Sequence, residues 1–506
     1  MRAAETIIVG AGAAGAVIAS RMTENSRREV LLLESGPDYP DPERLPKDLA
    51  NGHVNSLVHH DWKLKHRPTP EAFGMFPFPR GRVVGGSSAV NTCIALRGGP
   101  QDYDEWADRG LKDWGWDQCL PAFKRLENDH DFNDEWHGQN GPLPIRRHPP
   151  EELTEWQQAF LEACEMTGYE ACEDSNNPNQ TGYGPHAMNR IHGRRISAAE
   201  AWLTPTVRQR PGLHIQGDTH VHRVLFEGCT AVGVEVTHKG ERAQYRTKQV
   251  VLCAGAIHTP GILLRSGIGP KADLARLGAE VVSENEAVGA QLLDHPGVAF
   301  FMLPKWGYSH RTAPLIQAVC RYQSFDSTQP NDMILQPGNL VPLPRFNSPM
   351  VSMMAAMGKP KGVGQIRWES LGPYARPTLI QNFLDDESDL ARAIEGLQRG
   401  FALVETPPMK KRIRHIWPGR KTLSDKTRMA QWIRKSCDSG YHPCGTVPMG
   451  ADGAGATDGR GRVRGVQGLL VADASLMPTI PSSNTHLPTL MIGERFGEWL
   501  QAEPDT

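Results

Sequence analysis

Residues 6–36 read TIIVGAGAAGAVIASRMTENSRREVLLLESG, and this stretch restricts the fold more than any other part of the chain. TIIV at 6–9 has the length and β-branched character of a buried strand, AVIASRM reads as helix, and EVLLLESG supplies a second apolar strand ending at Glu34. Between strand and helix stand Gly10, Gly12 and Gly15 in GxGxxG spacing, with Glu34 nineteen residues beyond Gly15. Each member has a task. Gly10 allows the tight turn, Gly12 lets the backbone approach a pyrophosphate at the positive end of the helix, and Gly15 permits close helix–strand packing. Glu34 can accept hydrogen bonds from ribose hydroxyls. A glycine-rich turn alone would be weak evidence. The complete strand, turn, helix, strand and acid order predicts an α/β fold with a Rossmann-like dinucleotide site, without choosing between FAD and NAD.

Further blocks extend this reading. PRGRVVGGSSAVNTCIALRGGPQDYDEW (79–106) contains Gly85-Gly86-Ser87-Ser88, a backbone-exposing turn suited to contact with a flat ring or a phosphate. Residues 151–170 alternate as a helix, and RRISAAEAWLTP starts another with Ser197 as its N-cap. Short strands follow, ending in QVVLCAGA (249–256), which reads as a strand returning to the dinucleotide site. GLLVADASLMP (468–478) is a last buried strand, and TLMIGERFGEWL a closing helix. The Pro- and Met-rich segment 299–400 is less regular and reads as an inserted substrate lobe. The expected partition is 1–155, 210–298 and 440–506 for the dinucleotide domain, with 156–209 and 299–439 for the substrate domain.

Composition narrows the function classes. The chain has 506 residues, enough for two or three lobes, and a net charge of −2, which leaves no basic footprint for nucleic acid. There is no window of about 18 apolar residues, so no membrane span is expected. A strand beginning at Thr6 leaves no room for a cleavable leader. The nine cysteines show no CxxC pair, which argues against a disulfide framework or a zinc site and favours a reducing cytoplasm. His258, His295 and His442 match no standard ligand spacing, so no metal is expected.

Taken together, VGAGAAGAVIASRM with Glu34, PRGRVVGGSSAVN, RRISAAEAWLTP, VLCAGAIHTPGILLRSGIGP, VGAQLLDHP, YHPCGTVPMG and VADASLMPTIPSSNTHLPTLMIGER resemble the glucose–methanol–choline (GMC) family of FAD-dependent oxidoreductases, nearly end to end. The resemblance implies FAD, and a discontinuous FAD-binding domain joined to a substrate domain of antiparallel sheet and helices. Carried over by position, Gly10, Gly12, Ala13, Ala14, Gly15, Glu34 and Ser35 match the ADP-binding segment. Arg82, Gly85, Gly86, Ser88, Asn91, Thr92, Cys93 and Ile94 match the loop along the flavin. Val221 matches a position beside the adenine, and Ala254 and Gly255 the end of the returning strand. Asp473 and Ala474 fall at the ribityl and phosphate region, and His486 near the pyrimidine end, presenting its backbone. Some members attach FAD through a histidine where this chain has Val90, so non-covalent FAD is implied. Gln291 stands where many members have Asn, and stretch 313–325 carries no acidic residue for a quaternary ammonium substrate.

Alcohol oxidation needs a base at the hydroxyl and donors that orient it. By the resemblance, His442 in HPCGT is that base and Asn484 in SSNTH holds the substrate oxygen. Cys444 is expected as a small pocket-wall residue. The implied activity is oxidation of an alcohol to an aldehyde or ketone, with oxygen or a quinone-type carrier as acceptor. A non-redox hydroxynitrile lyase or a fatty-acid photodecarboxylase of the same fold are the alternatives, and the CxxxxC pair of a disulfide reductase is missing. Met333, Met350, Met353, Met354 and Trp368 in the substrate lobe suggest an apolar or aromatic alcohol.

Overall fold

The computed structural model describes residues 4–24, 28–309, 311–343 and 346–502. Its organising element is a five-stranded parallel sheet. The strands are β1 (Thr6–Val9), β2 (Val30–Leu33) after helix α1 (Ala13–Met22), β3 (Leu213–Gln216), β4 (Gln249–Leu252) leading into α2 (Gly255–Arg265), and β5 (Leu469–Val471), followed by α3 (His486–Ala502). Their order is β3-β2-β1-β4-β5. Ile7 is in register with both Leu31 and Val250, so the first strand lies at the centre. Every residue of β1 and β2 is buried, as expected of strands covered on both faces.

Helices α1 and α3 close over this sheet because glycine permits it. A Cβ at Gly493 would lie 2.9 Å from Val17 Cβ, and one at Gly497 would lie 2.7 Å from Arg21 Cβ. Between these glycines the buried Glu494 accepts from Arg21 Nε at 2.9 Å and Trp202 Nε1 at 3.1 Å. The two ends of the chain thus hold one domain together. Ser197 caps the helix Ala198–Trp202 in a capping box with Glu200, as its sequence predicts.

The second lobe is an antiparallel sheet. From the edge inward it runs Ile413–Trp417, Pro296–Pro304, Val351–Met357, Met333–Gly338, Ala318–Tyr322 and Gly182–Pro185. Alternation sends Val298, Phe300, Met302, Leu335, Met353 and Ala355 to one face, where they form a core beneath the helix Glu387–Glu405. Gly396 and Gly400 of that helix let it approach, since Cβ atoms there would meet Ala355 Cβ at 2.7 Å and Met353 Cγ at 2.9 Å.

This alternation corrects the substrate expectation. Met333 and Met353 are core residues of the helix-covered face. Trp368 is buried in a separate cluster, packed on Gly261 of α2. None of Met333, Met350, Met353, Met354 or Trp368 lines the large cavity described below.

The lobes meet at one strand end. Pro296 pairs with Ser439, and Leu293 pairs with Cys444 through mutual backbone hydrogen bonds of 2.9 and 3.0 Å. Gly445 N then donates to Ala474 O at 3.0 Å, beside β5. The loop 440–445 is therefore stitched to both sheets.

Candidate active site

One cavity runs from the carboxyl ends of β1, β2 and β4 to this loop. Its floor is built by the first glycine motif. Gly10 has φ +101°, and a Cβ there would lie 2.4 Å from Cys253 O. A Cβ at Gly15 would lie 2.0 Å from Gly10 O, so this glycine serves packing. Gly12 differs: the nearest atom to its imaginary Cβ is Gly86 Cα at 3.9 Å, so the space beside it is open cavity. Gly86 (φ +54°) in turn faces Gly12, and any side chain there would collide with it at 2.7 Å. Two glycine backbones from separate motifs thus leave a slot at the start of α1, where the helix N-terminus favours an anion.

The expected residues Gly10, Gly12, Ala13, Ala14, Glu34, Ser35, Gly86, Ser88, Asn91, Thr92, Ile94, Val221, Ala254, Gly255, Asp473, Ala474, Asn484, His486 and His442 all line this cavity. Gly15, Arg82, Gly85 and Cys93 stand behind the wall. Arg82 Nη2 donates to Ser35 O at 3.2 Å, Gly85 N to Ala11 O at 2.7 Å, and Cys93 is buried with φ +64°. Cys444 also departs from expectation. Its pairing with Leu293 turns it into the hydrophobic core, where it is fully buried and not part of the wall. Sequence reasoning missed Trp62, His220, His258, Arg80 and Tyr441, which line the cavity too. Arg80, His258 and Tyr441 lie in the segments that carry the family resemblance, whereas Trp62 and His220 had no local signal.

The cavity's polar groups suit a dinucleotide. Glu34 accepts from Ala11 N at 3.1 Å and Gly36 N at 2.9 Å, one to each oxygen, and each oxygen keeps a second lone pair. Burial pushes its pKa up to about 7 against these bonds and the Arg82 charge. Asp473 ties β5 to α2, accepting from Gly255 N at 2.8 Å and Thr259 Oγ1 at 2.7 Å. The Nε2 atoms of His258 and His486 are buried with no protein partner, which a bound ligand of matching polarity would supply. These features fit FAD, whose pyrophosphate Gly12 and Gly86 would admit.

At the other end His442 Nε2 lies 2.9 Å from Asn484 Nδ2, and its Nδ1 lies 2.9 Å from His295 Nδ1. Asp294 Oδ1 accepts from both His295 N (2.8 Å) and His442 N (2.9 Å), clamping the two histidine backbones together. Arg80 Nη2 donates to Tyr441 O at 2.7 Å, and Tyr441 is held at φ +63°, a costly conformation for a non-glycine residue. Burial depresses the His442 pKa well below its ordinary value, and the Arg80 charge acts in the same direction.

Residues 4–297 match the N-terminal and residues 360–493 the C-terminal family model of the GMC oxidoreductases. The chain belongs to the GMC oxidoreductase family. It is 32% identical to a 5-(hydroxymethyl)furfural oxidase of Methylovorus sp. (strain MP688), covering 97% of each chain. It is 34% identical to oxygen-dependent choline dehydrogenase 1 of Chromohalobacter salexigens, covering 97% of this chain and 94% of that one. The crystal structure of pyridoxine 4-oxidase from Mesorbium loti superposes with a TM-score of 0.90 at 28% identity, covering 99% of this chain and 100% of that one. This GMC protein is accordingly an FAD-dependent oxidoreductase acting on CH–OH donors. Among the described residues no helix is long and apolar enough to cross a membrane.

Proposed function

We propose that the protein oxidises a flat aromatic or heteroaromatic primary alcohol to the aldehyde, with His442 as base and oxygen as acceptor. The 2.9 Å contact between His442 Nε2 and the Asn484 amide carries this reading. Both groups line the cavity, and an alcohol oxygen that displaces this direct contact would donate its proton to Nε2 and accept from Asn484 Nδ2–H, the polarity that activating a hydroxyl requires. The depressed pKa keeps His442 neutral, hence able to accept, at ordinary pH. FAD, when bound non-covalently beside Val90, supplies the acceptor for the hydrogen and electron pair leaving the carbinol carbon. The relatives named for hydroxymethylfurfural and pyridoxine favour a ring-bearing alcohol. Glu34 and Asp473 are the carboxylates among the cavity-lining residues, and both stand at the ends of the parallel strands. This arrangement argues against a quaternary ammonium substrate. All nine cysteines are free, in keeping with a reducing cytoplasm.

The test is anaerobic bleaching of the FAD-loaded protein by a panel of alcohols, followed by air. Benzylic and furfuryl alcohols should bleach the flavin, with colour and peroxide returning in air. Colour that returns only with an added quinone would replace oxygen by a quinone-type carrier. Flavin left oxidised by every alcohol, with cyanide released from a cyanohydrin, would replace oxidation by the lyase reading.

A further inference from the structure

We propose that His295 is a positioning residue that fixes the tautomer of His442 and stabilises its protonated form. The inference rests on His442 being the base. His295 is 3% exposed, and its Nε2 lies 3.0 Å from both Gly358 O and Pro481 O. A carbonyl oxygen only accepts, so Nε2 carries the hydrogen and donates to them. Burial pushes the His295 pKa down to about 4, opposed by those carbonyl bonds, so the ring is neutral at ordinary pH. A neutral imidazole with its hydrogen on Nε2 has a bare Nδ1. At 2.9 Å from His442 Nδ1, that bare nitrogen accepts, so His442 carries its own hydrogen on Nδ1. The lone pair of His442 is thereby placed on Nε2, the nitrogen that meets Asn484.

The opposite arrangement fails on the same geometry. A hydrogen on His295 Nδ1 would aim a bare Nε2 lone pair at two carbonyl oxygens, a buried contact with no donor. When His442 Nε2 takes the hydroxyl proton, the new imidazolium keeps its Nδ1–H bond to His295, and no further proton needs to move. The groups facing the pair are few. Asp294 is engaged with both backbone N–H groups, and Arg80 with the Tyr441 carbonyl. The charges of Asp102 and Lys359 act on His295 from the far side, where they oppose each other. Gly440 completes the device, since a Cβ there would lie 3.0 Å from His442 Nδ1 and wedge into the contact.

The experiment compares His295→Phe, which keeps ring volume without an acceptor, with His295→Gln, whose amide can accept from His442 and donate to Gly358 O. Each FAD-loaded variant is bleached anaerobically by alcohol as a function of pH, with His442→Ala alongside. In His295→Phe the limiting rate should fall about 10- to 100-fold, the worth of a hydrogen bond to a charged group, and the acid limb should move to lower pH. His295→Gln should restore the rate to within about threefold and return the limb. A Phe variant with the wild-type rate and limb overturns the proposal, as do equal losses in Phe and Gln with no movement of the limb. If His295→Phe does not load FAD, His295→Leu takes its place. An active His442→Ala would instead sink the base assignment itself.

Discussion

Two buried histidine sites in this molecule have opposite electrostatics. His137 is fully buried, with Nε2 2.8 Å from Asp174 and Nδ1 3.1 Å from Asp129 and 3.3 Å from Glu127. Arg97 binds Glu127 at 2.8 Å, and Arg147 binds both Asp129 and Asp174. Three buried carboxylates thus face three cations, with half-exposed Asp131 at the rim. Burial opposes charge on His137, but the carboxylate bonds outweigh it and raise its pKa to about 10. The Glu127, Asp129 and His137 donor atoms lie within 4.8 Å of one another, a metal-like spacing, yet the two guanidiniums already occupy the carboxylates. At His442 both nitrogens meet neutral partners instead. Burial therefore does not by itself make a base. A histidine among carboxylates is locked as a cation and ties elements together. One given a neutral acceptor on Nδ1 and a neutral amide donor on Nε2 stays uncharged, with an Nε2 lone pair that a substrate hydroxyl can take over from the amide.

The largest way to break the comparison is to remove the base. His442→Ala should lower the rate of anaerobic flavin reduction by about 10²- to 10⁴-fold, the range for a positioned general base. FAD content should be unchanged, because the slot at Gly12 and Gly86 that would admit the cofactor's phosphates is left intact. Bleaching within a few-fold of wild type would place the base elsewhere.

The ionic site should answer in stability rather than rate. Arg147→Leu leaves the buried carboxylates of Asp129 and Asp174 with backbone N–H groups and His137 but no guanidinium, and breaking such a pair costs about 3–5 kcal/mol. Denaturant unfolding should register this loss, while flavin reduction per bound FAD stays at the wild-type value. An unchanged unfolding midpoint would mean the cluster relaxes or admits water, and that it does not hold the fold as argued.

The two sites were unequally legible in the sequence. The parallel sheet and the glycine cradle could be read because they depend on local necessities, whereas His442 and Asn484 were legible only through the resemblance of their blocks to a family. Gly10 and Gly15 must lack side chains, and strands buried on both faces must be continuously apolar. Placement on a strand face is a different matter. Met353 and Met354 look alike in a list, but alternation sends Met353 into the helix-covered core. Cys444 was misread for the same reason, since its pairing with Leu293 decides which way it points. His295 sits in VGAQLLDHP, where no neighbouring residue marks a role for it. Its partner is 147 positions away, and the rings are brought together by the shared Asp294 carboxylate and by the backbone pairing of the two segments. The His137 cluster draws Arg97, Glu127, Arg147 and Asp174 from separate segments, a convergence with no local signature.

The finest test uses pH, because the two sites bias stability in opposite directions. His137 has a folded pKa of about 10 against 6.5 for a free histidine. Its contribution is fully present below pH 6.5 and is lost as pH rises through 10. His442 and His295 are depressed, His295 to about 4, so the stability they confer is present above pH 6.5 and is lost as pH falls below it. Unfolding midpoints of wild type and His137→Gln should therefore differ most below pH 6.5 and converge towards pH 10, while the acid-side loss persists in both. The comparison is between two proteins at each pH, so titration of other groups cancels to first order. A gap that stays constant from pH 6 to pH 10 would show that His137 holds its neighbours by shape alone and that its charge contributes nothing.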